Sequence, residues 1–145
     1  MSVALLISVV LAAAAPAADA PADLAAAIQK ATTAYNAQDL KYYEANLSAD
    51  AVYVADDGMT FAGKQRVVGL FTRLFARTPP PQLAVSDVVP TAKGDVAWVR
   101  YKWTLSGGAK ARSGVGATVF AREAGEWRIV LIQNTPDGHA TPHGH

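Results

Sequence analysis

Two groups of side chains in this 145-residue sequence have the type and spacing to do chemistry: the adjacent carboxylates Asp56 and Asp57, and the histidines His139, His143 and His145. A carboxylate held against an apolar substrate can act as a general base. Asp57 precedes Gly58, and Asp-Gly favours a tight primed hairpin turn in which both central residues take φ > 0. Asp57 is therefore assigned to the turn, and Asp56 is the one candidate base, weighed against a plain solvated turn residue. The spacing H-x-x-x-H-x-H would let imidazoles meet on one zinc, copper or nickel ion. Ordering a mobile peptide opposes such a site, so a solvated tail without bound metal is the expectation. Ser86, Ser106 and Ser113 have no histidine in the folded part to activate them, which argues against a hydrolase triad. Gly107-Gly108 and Gly114-x-Gly116 do not open a helix after a strand, so they read as turn and strand glycines and not as a phosphate cradle. No cofactor is called for.

The elements that must position these groups follow from periodicity. Leu24, Ile28, Ala31 and Tyr35 recur at helical spacing after Asp23, which is placed to cap a first helix. Leu40, Tyr43 and Leu47 suggest a short second helix entered through Asp39 and ended before Asp50. Ala51 to Phe61 reads as a hairpin. A third helix follows Gly63, with Val67, Phe71, Leu74 and Phe75 on one face and Lys64, Arg66, Arg73 and Arg77 mostly elsewhere, and Pro79, Pro80 and Pro81 stop it. Residues 83–89, 96–105, 114–122 and 127–135 are rich in β-branched and aromatic side chains and are separated by glycine turns, which predicts four strands. Helices followed by a run of strands imply an α+β fold, a curved antiparallel sheet packed on three N-terminal helices.

Four short strings, in order, carry a resemblance. Tyr35-Asn36-Ala37-Gln38-Asp39-Leu40, Asp57-Gly58 followed by Gly63, Gly125-Glu126-Trp127-Arg128-Ile129, and the ending Gln133-Asn134-Thr135 resemble the SnoaL-like branch of the nuclear transport factor 2-like superfamily. The last string is similar to small proteins encoded with enediyne and other polyketide pathways. The resemblance spans about Asp23 to Thr135 and implies a cone-shaped fold. It does not imply one chemistry, because the cone hosts isomerases, cyclases, dehydratases and domains without catalysis. The distantly related ketosteroid isomerases use a Tyr and a protonated Asp as oxyanion donors and a second Asp as base. Carried over by position, the Tyr falls on Ala31, the base on Ala55 and the oxyanion Asp near Thr118, so all three groups are missing. Asp56, one place from Ala55, would face the other way along a strand unless a bulge re-aims it.

The same orientation predicts a pocket. Period-two alternation places Trp127, Ile129, Leu131, Gln133 and Thr135 on the concave face, with Tyr53 and Thr118 facing inward and Phe120 beside Thr118. On residues 96–105 the odd face, Val99, Tyr101, Trp103 and Leu105, is the more apolar and is expected to point inward. Tyr35, Tyr53, Tyr101, Trp103, Thr118 and Gln133 would then line an aromatic cavity with a few hydrogen-bonding groups, the usual make-up of a small-molecule site.

Composition bounds the rest. A net charge of +1 and the absence of a basic run argue against a nucleic-acid partner, and the absence of cysteine excludes disulfides and thiol chemistry. Val3 to Ala15 is apolar and leads into Ala15-Pro16-Ala17, the pattern of a signal peptide cut after Ala17. The expected organisation is a signal segment over 1–17, one SnoaL-like domain over 18–135 and a His-containing tail over 136–145. The mature chain would be periplasmic or secreted, without a stable membrane anchor. Apolar residues on both faces of the strands, such as Val96, Trp98, Val99 and Trp103, predict a homodimer. Three functions stay open: binding of a small apolar molecule with little or no catalysis, proton-transfer catalysis of the cyclase or isomerase type on a cyclic substrate, and dimeric assembly without a ligand.

Overall fold

The computed structural model describes residues 20–108 and 110–138. The expected signal segment and the three histidines lie outside them. The chain forms α1 (Ala20–Asn36), α2 (Leu40–Asn46), β1 (Leu47–Val54), β2 (Thr60–Ala62), α3 (Lys64–Phe75), β3 (Gln82–Lys93), β4 (Val96–Ser106), β5 (Arg112–Glu123) and β6 (Glu126–Pro136). The six strands make one curved, unclosed sheet in the order β2-β1-β6-β5-β4-β3, packed on the three helices. The α+β architecture is the expected one.

Several details differ from expectation. α1 begins before Asp23, with Pro21 in its first turn, where the missing N–H costs nothing. The residues after α1 turn through Gln38 (φ 55°) into α2, which Asp39 caps by accepting the Tyr42 N–H. Leu47 opens a strand instead of closing the helix, because its backbone pairs with Ile129 of β6. That pairing is parallel, so the sheet is not wholly antiparallel. β6 runs one residue further than expected, to Pro136, and Asp137 is tied to Ser113 through both backbone and side chain.

The core lies between the helices and the concave face of the sheet. Leu24, Ile28, Tyr43, Val67 and Phe71 from the helices are buried against Ala97, Val99, Tyr101, Trp103, Phe120 and Ile129 from β4, β5 and β6. Phe71 is the hub of its aromatic part, with ring centroids of Tyr43, Tyr53, Phe75 and Tyr35 at 4.5, 5.4, 5.8 and 6.0 Å. The inward aromatic rings of β4 need space on the neighbouring strand. Gly116 and Gly114 supply it: a Cβ on Gly116 would stand 2.5 Å from the Tyr101 ring, and one on Gly114 would stand 2.7 Å from the Trp103 ring. Gly116 serves side-chain packing, whereas at Gly114 the backbone of Thr135 and Pro136 excludes a Cβ as well, in keeping with the reading of both as strand glycines.

Candidate ligand cavity

A cavity of about 380 Å³ lies between the helices and the concave sheet face. Its inner part is apolar and aromatic. Ile28 from α1, Phe71 and Leu74 from α3, Leu83 and Val85 from β3, Trp103 from β4 and Ile129 and Ile132 from β6 form the walls. The odd face of β4 points inward, as its hydrophobicity predicts, and Val99, Tyr101 and Trp103 are buried on it.

Some of the polar groups on these walls are paired and others are not. The Tyr101 hydroxyl and the Thr118 Oγ1 lie 3.0 Å apart across β4 and β5, so one donates to the other. Tyr43 Oη donates to the Ala31 carbonyl at 2.8 Å, which ties α2 to α1. The hydroxyls of Tyr35 and Tyr53 have no hydrogen-bond partner among the described residues, although both residues line the cavity. Burial raises all of these phenols above the usual range, Tyr35 to about 12, and Tyr53, Tyr43 and Tyr101 likewise upward. Each is a neutral O–H donor at ordinary pH.

Five of the six residues expected to line the pocket, Tyr35, Tyr53, Tyr101, Trp103 and Thr118, do so. Gln133 does not. A register shift places Ile129 opposite Phe120 but Leu131 opposite Val119, so Val130 is an extra residue in β6. Each residue after it is turned over relative to simple alternation. Ile132 and Asn134 therefore face the cavity, while Leu131, Gln133 and Thr135 line a groove on the convex face with Arg100 and Lys102. Asn134 takes the role expected of Gln133, and its Nδ2 donates to the Val54 carbonyl at 3.3 Å.

The turn after β1 also differs from its sequence reading. Gly58 N–H donates to the Ala55 carbonyl, and only Gly58 has positive φ (84°), so Asp56 and Asp57 are the central residues of an unprimed turn that a left-handed glycine completes. Strand alternation stops at Val54, which frees Asp56 from the strand's parity. Asp57 Oδ1 accepts the Met59 N–H at 2.9 Å and stabilises the turn. Asp56 points to the cavity mouth, where its carboxylate is ion-paired with Arg112, and its side chain is only 19% exposed.

Ala31, Ala55 and Thr118 all line this one cavity. The positional carry-over to base and oxyanion sites thus lands on cavity walls, and two of the three positions hold only a methyl group. Sequence reading missed the basic residues at the mouth, Arg73, Arg77 and Arg112. Arg77 lies two residues past the end of α3, where its N–H donates to the Leu74 carbonyl at 3.2 Å, and its side chain lines the cavity. Arg112 shares the inward parity of Gly114, Gly116 and Thr118 because β5 starts earlier than expected, and its cross-strand partner is Leu105. Among the described residues there is no cluster of three or more His, Cys, Asp or Glu that could hold a metal ion. No helix among them is long and apolar enough to cross a membrane.

The fold recurs in solved structures. A protein from Caulobacter vibrioides with a cystatin-like fold is 17% identical with TM-score 0.75, covering 83% of this chain and 92% of that one. A protein of the nuclear transport factor 2-like family from Streptomyces avermitilis, named as a candidate dehydratase, is 20% identical with TM-score 0.72, covering 84% and 98%. A protein from Xanthomonas campestris, named for a candidate calcium/calmodulin-dependent protein kinase II association domain, is 17% identical with TM-score 0.68, covering 87% and 94%. These likenesses extend to the fold. No curated protein matches the chain. The family model described as a SnoaL-like domain matches residues 24–134, from the first buried leucine of α1 to the cavity asparagine of β6. With that match over most of its length, the chain belongs to the SnoaL-like domain family of the nuclear transport factor 2-like superfamily.

Proposed function

We propose that this protein binds a small, largely apolar molecule in the cavity and does little or no chemistry on it. The observation that carries the reading is the pair of tyrosine hydroxyls, Tyr35 and Tyr53, without hydrogen-bond partners among the described residues, on the walls of a 380 Å³ cavity whose inner part is mostly apolar. Neither hydroxyl is sealed off, so both open onto the cavity space, where a ligand oxygen can accept from them. A site of this volume, with apolar walls and a few fixed donors, suits a molecule of one or two rings. Native mass spectrometry of protein purified from its own host tests the reading. A retained small molecule that is lost in Tyr53→Leu supports it, and an empty wild-type protein that also binds no aromatic probe sinks it.

A second reading, proton-transfer catalysis, is favoured by one observation: Asp56 stands at the cavity mouth and not in open solvent. The candidate dehydratase of the same fold makes it worth testing. Against it, the Asp56 carboxylate is engaged by a guanidinium, and Ala31 and Ala55 offer no partner group. The apolar segment at the amino terminus supports export, with the mature chain periplasmic or secreted. Exposed Val89, Val96 and Val115 on the convex face support a homodimer through that face, and structures of this fold named for an association domain add to it.

A further inference from the structure

The cavity reading leaves the charged residues at the mouth without a role. Arg73, Arg77 and Arg112 line that end together with Asp56 and Asp57, so cations outnumber anions there. Arg112 is paired with Asp56, whereas Arg73 and Arg77 make no ion pair among the described residues. Tyr35 lines the same cavity, with its ring edge-on to Phe71 and Phe75. The site therefore has two unlike ends. Phe71, Trp103 and Ile132 form an apolar inner part, and the guanidiniums of Arg73, Arg77 and Arg112 form the outer part.

A purely apolar ligand would use only the first of these. A guanidinium presents a planar fork of donors that matches a carboxylate, and at a half-exposed rim the ligand's charge need not be fully desolvated. Arg112 already holds one carboxylate, that of Asp56, on a turn that brings it in from the side. The geometry points to an amphiphile with a carboxylate head as the ligand class, its ring or chain in the inner cavity and its head on Arg77 and Arg112, and to Asp56 as the carboxylate that occupies Arg112 until the ligand's replaces it. This rests on the binding reading above and adds the ligand's charge to it.

The test uses 2-naphthoate and its neutral counterpart 2-naphthamide, titrated into the full domain and followed by calorimetry and by quenching of tryptophan fluorescence. The carboxylate is expected to bind about tenfold more tightly at low salt, and the difference is expected to shrink as salt screens the rim. Arg77→Gln should remove most of the preference by lowering naphthoate affinity far more than the amide's, with a circular-dichroism melt showing that the variant is folded. Asp56→Asn should strengthen naphthoate binding, since it releases Arg112. Equal affinity for the two probes, or weaker naphthoate binding in Asp56→Asn, overturns the inference and leaves the binding reading standing. If neither probe binds, the carboxylate inference falls, and the binding reading is then decided by the native mass spectrum.

Discussion

The side-chain amide of Asn36 exchanges two hydrogen bonds with the backbone of Leu83, donating from Nδ2 to the carbonyl at 2.9 Å and accepting the N–H at Oδ1 at 2.7 Å. It acts as a one-residue strand partner at the start of β3, the sheet's outer edge beside the helices. Asn36→Ala leaves both groups of Leu83 without that partner in a half-buried setting. A loss of about 1–3 kcal/mol is expected, measured by urea unfolding. Asn36→Asp keeps the acceptor but sets a carboxylate against the Leu83 carbonyl, so it should not restore stability.

Gly116 and Gly69 predict opposite outcomes for the same substitution. Gly116→Ala drives a methyl group into the Tyr101 ring and should cost about 1–3 kcal/mol. Gly69 lies inside α3, where an added Cβ meets only Arg73 Nη1 at 4.0 Å. Gly69→Ala should therefore stabilise by about 0.5–1 kcal/mol. Thermal melts of the two variants give the signs directly.

Stability should fall in alkali for a specific reason. All five tyrosines of the chain, Tyr35, Tyr42, Tyr43, Tyr53 and Tyr101, are shifted upward by burial. With folded values above the unfolded value of 10.0, their contribution is complete below pH 10 and drains away as pH rises towards about 12, the value for Tyr35. The melting temperature is expected to be flat near pH 9 and to drop steeply above 10. Tyrosinate absorbance should appear together with unfolding. Early ionisation of several tyrosines in a protein that stays folded would contradict the burial seen in the cavity.

Ketosteroid isomerisation is not expected. The positions that would carry base and oxyanion donors are Ala55, Ala31 and Thr118, and each missing group is worth on the order of a hundredfold or more. A steroid that fits the cavity should bind without turnover. Isomerase activity that vanishes in Asp56→Asn would instead make Asp56 a base and favour the second reading.

A homodimer through the convex face should be sensitive to one charge. Val115 is 52% exposed near the centre of that face, opposite Lys102 and Thr135. Light scattering of the wild type at micromolar concentration is expected to give twice the chain mass, and Val115→Lys should reduce it to one. A wild-type monomer would mean that the convex valines are simply exposed.

The fold was legible because long amphipathic segments carry strong periodicity: the α3 stripe of Val67, Phe71 and Leu74 and the inward odd residues of β4 needed no tertiary information. The errors in the site arose where one backbone irregularity decides many side chains. Nothing in the composition of Ile129-Val130-Leu131 marks Val130 as extra, since it fits a regular strand equally well, and that single residue moved Gln133 out and Asn134 in. The Asp57-Gly58 signal located a turn but not its type, and the type set Asp56 at the cavity mouth. Arg112 was recoverable from parity alone had the strand been started at its true beginning. The parallel pairing of β1 with β6 joins segments far apart in the chain and leaves no local mark.

That parallel pairing has a bearing on how the molecule comes into being. β6 is the last strand of the domain and stands between β1 and β5, so until it arrives the hairpin of β1 and β2 has no sheet to join. Two halves of the hydrogen-bonded layer wait for one late segment that also brings Ile129, Ile132 and Asn134 to the cavity. Assembly is thus gated by completion of the chain, and the contacts that close it span most of the sequence, which slows the search for the native pairing.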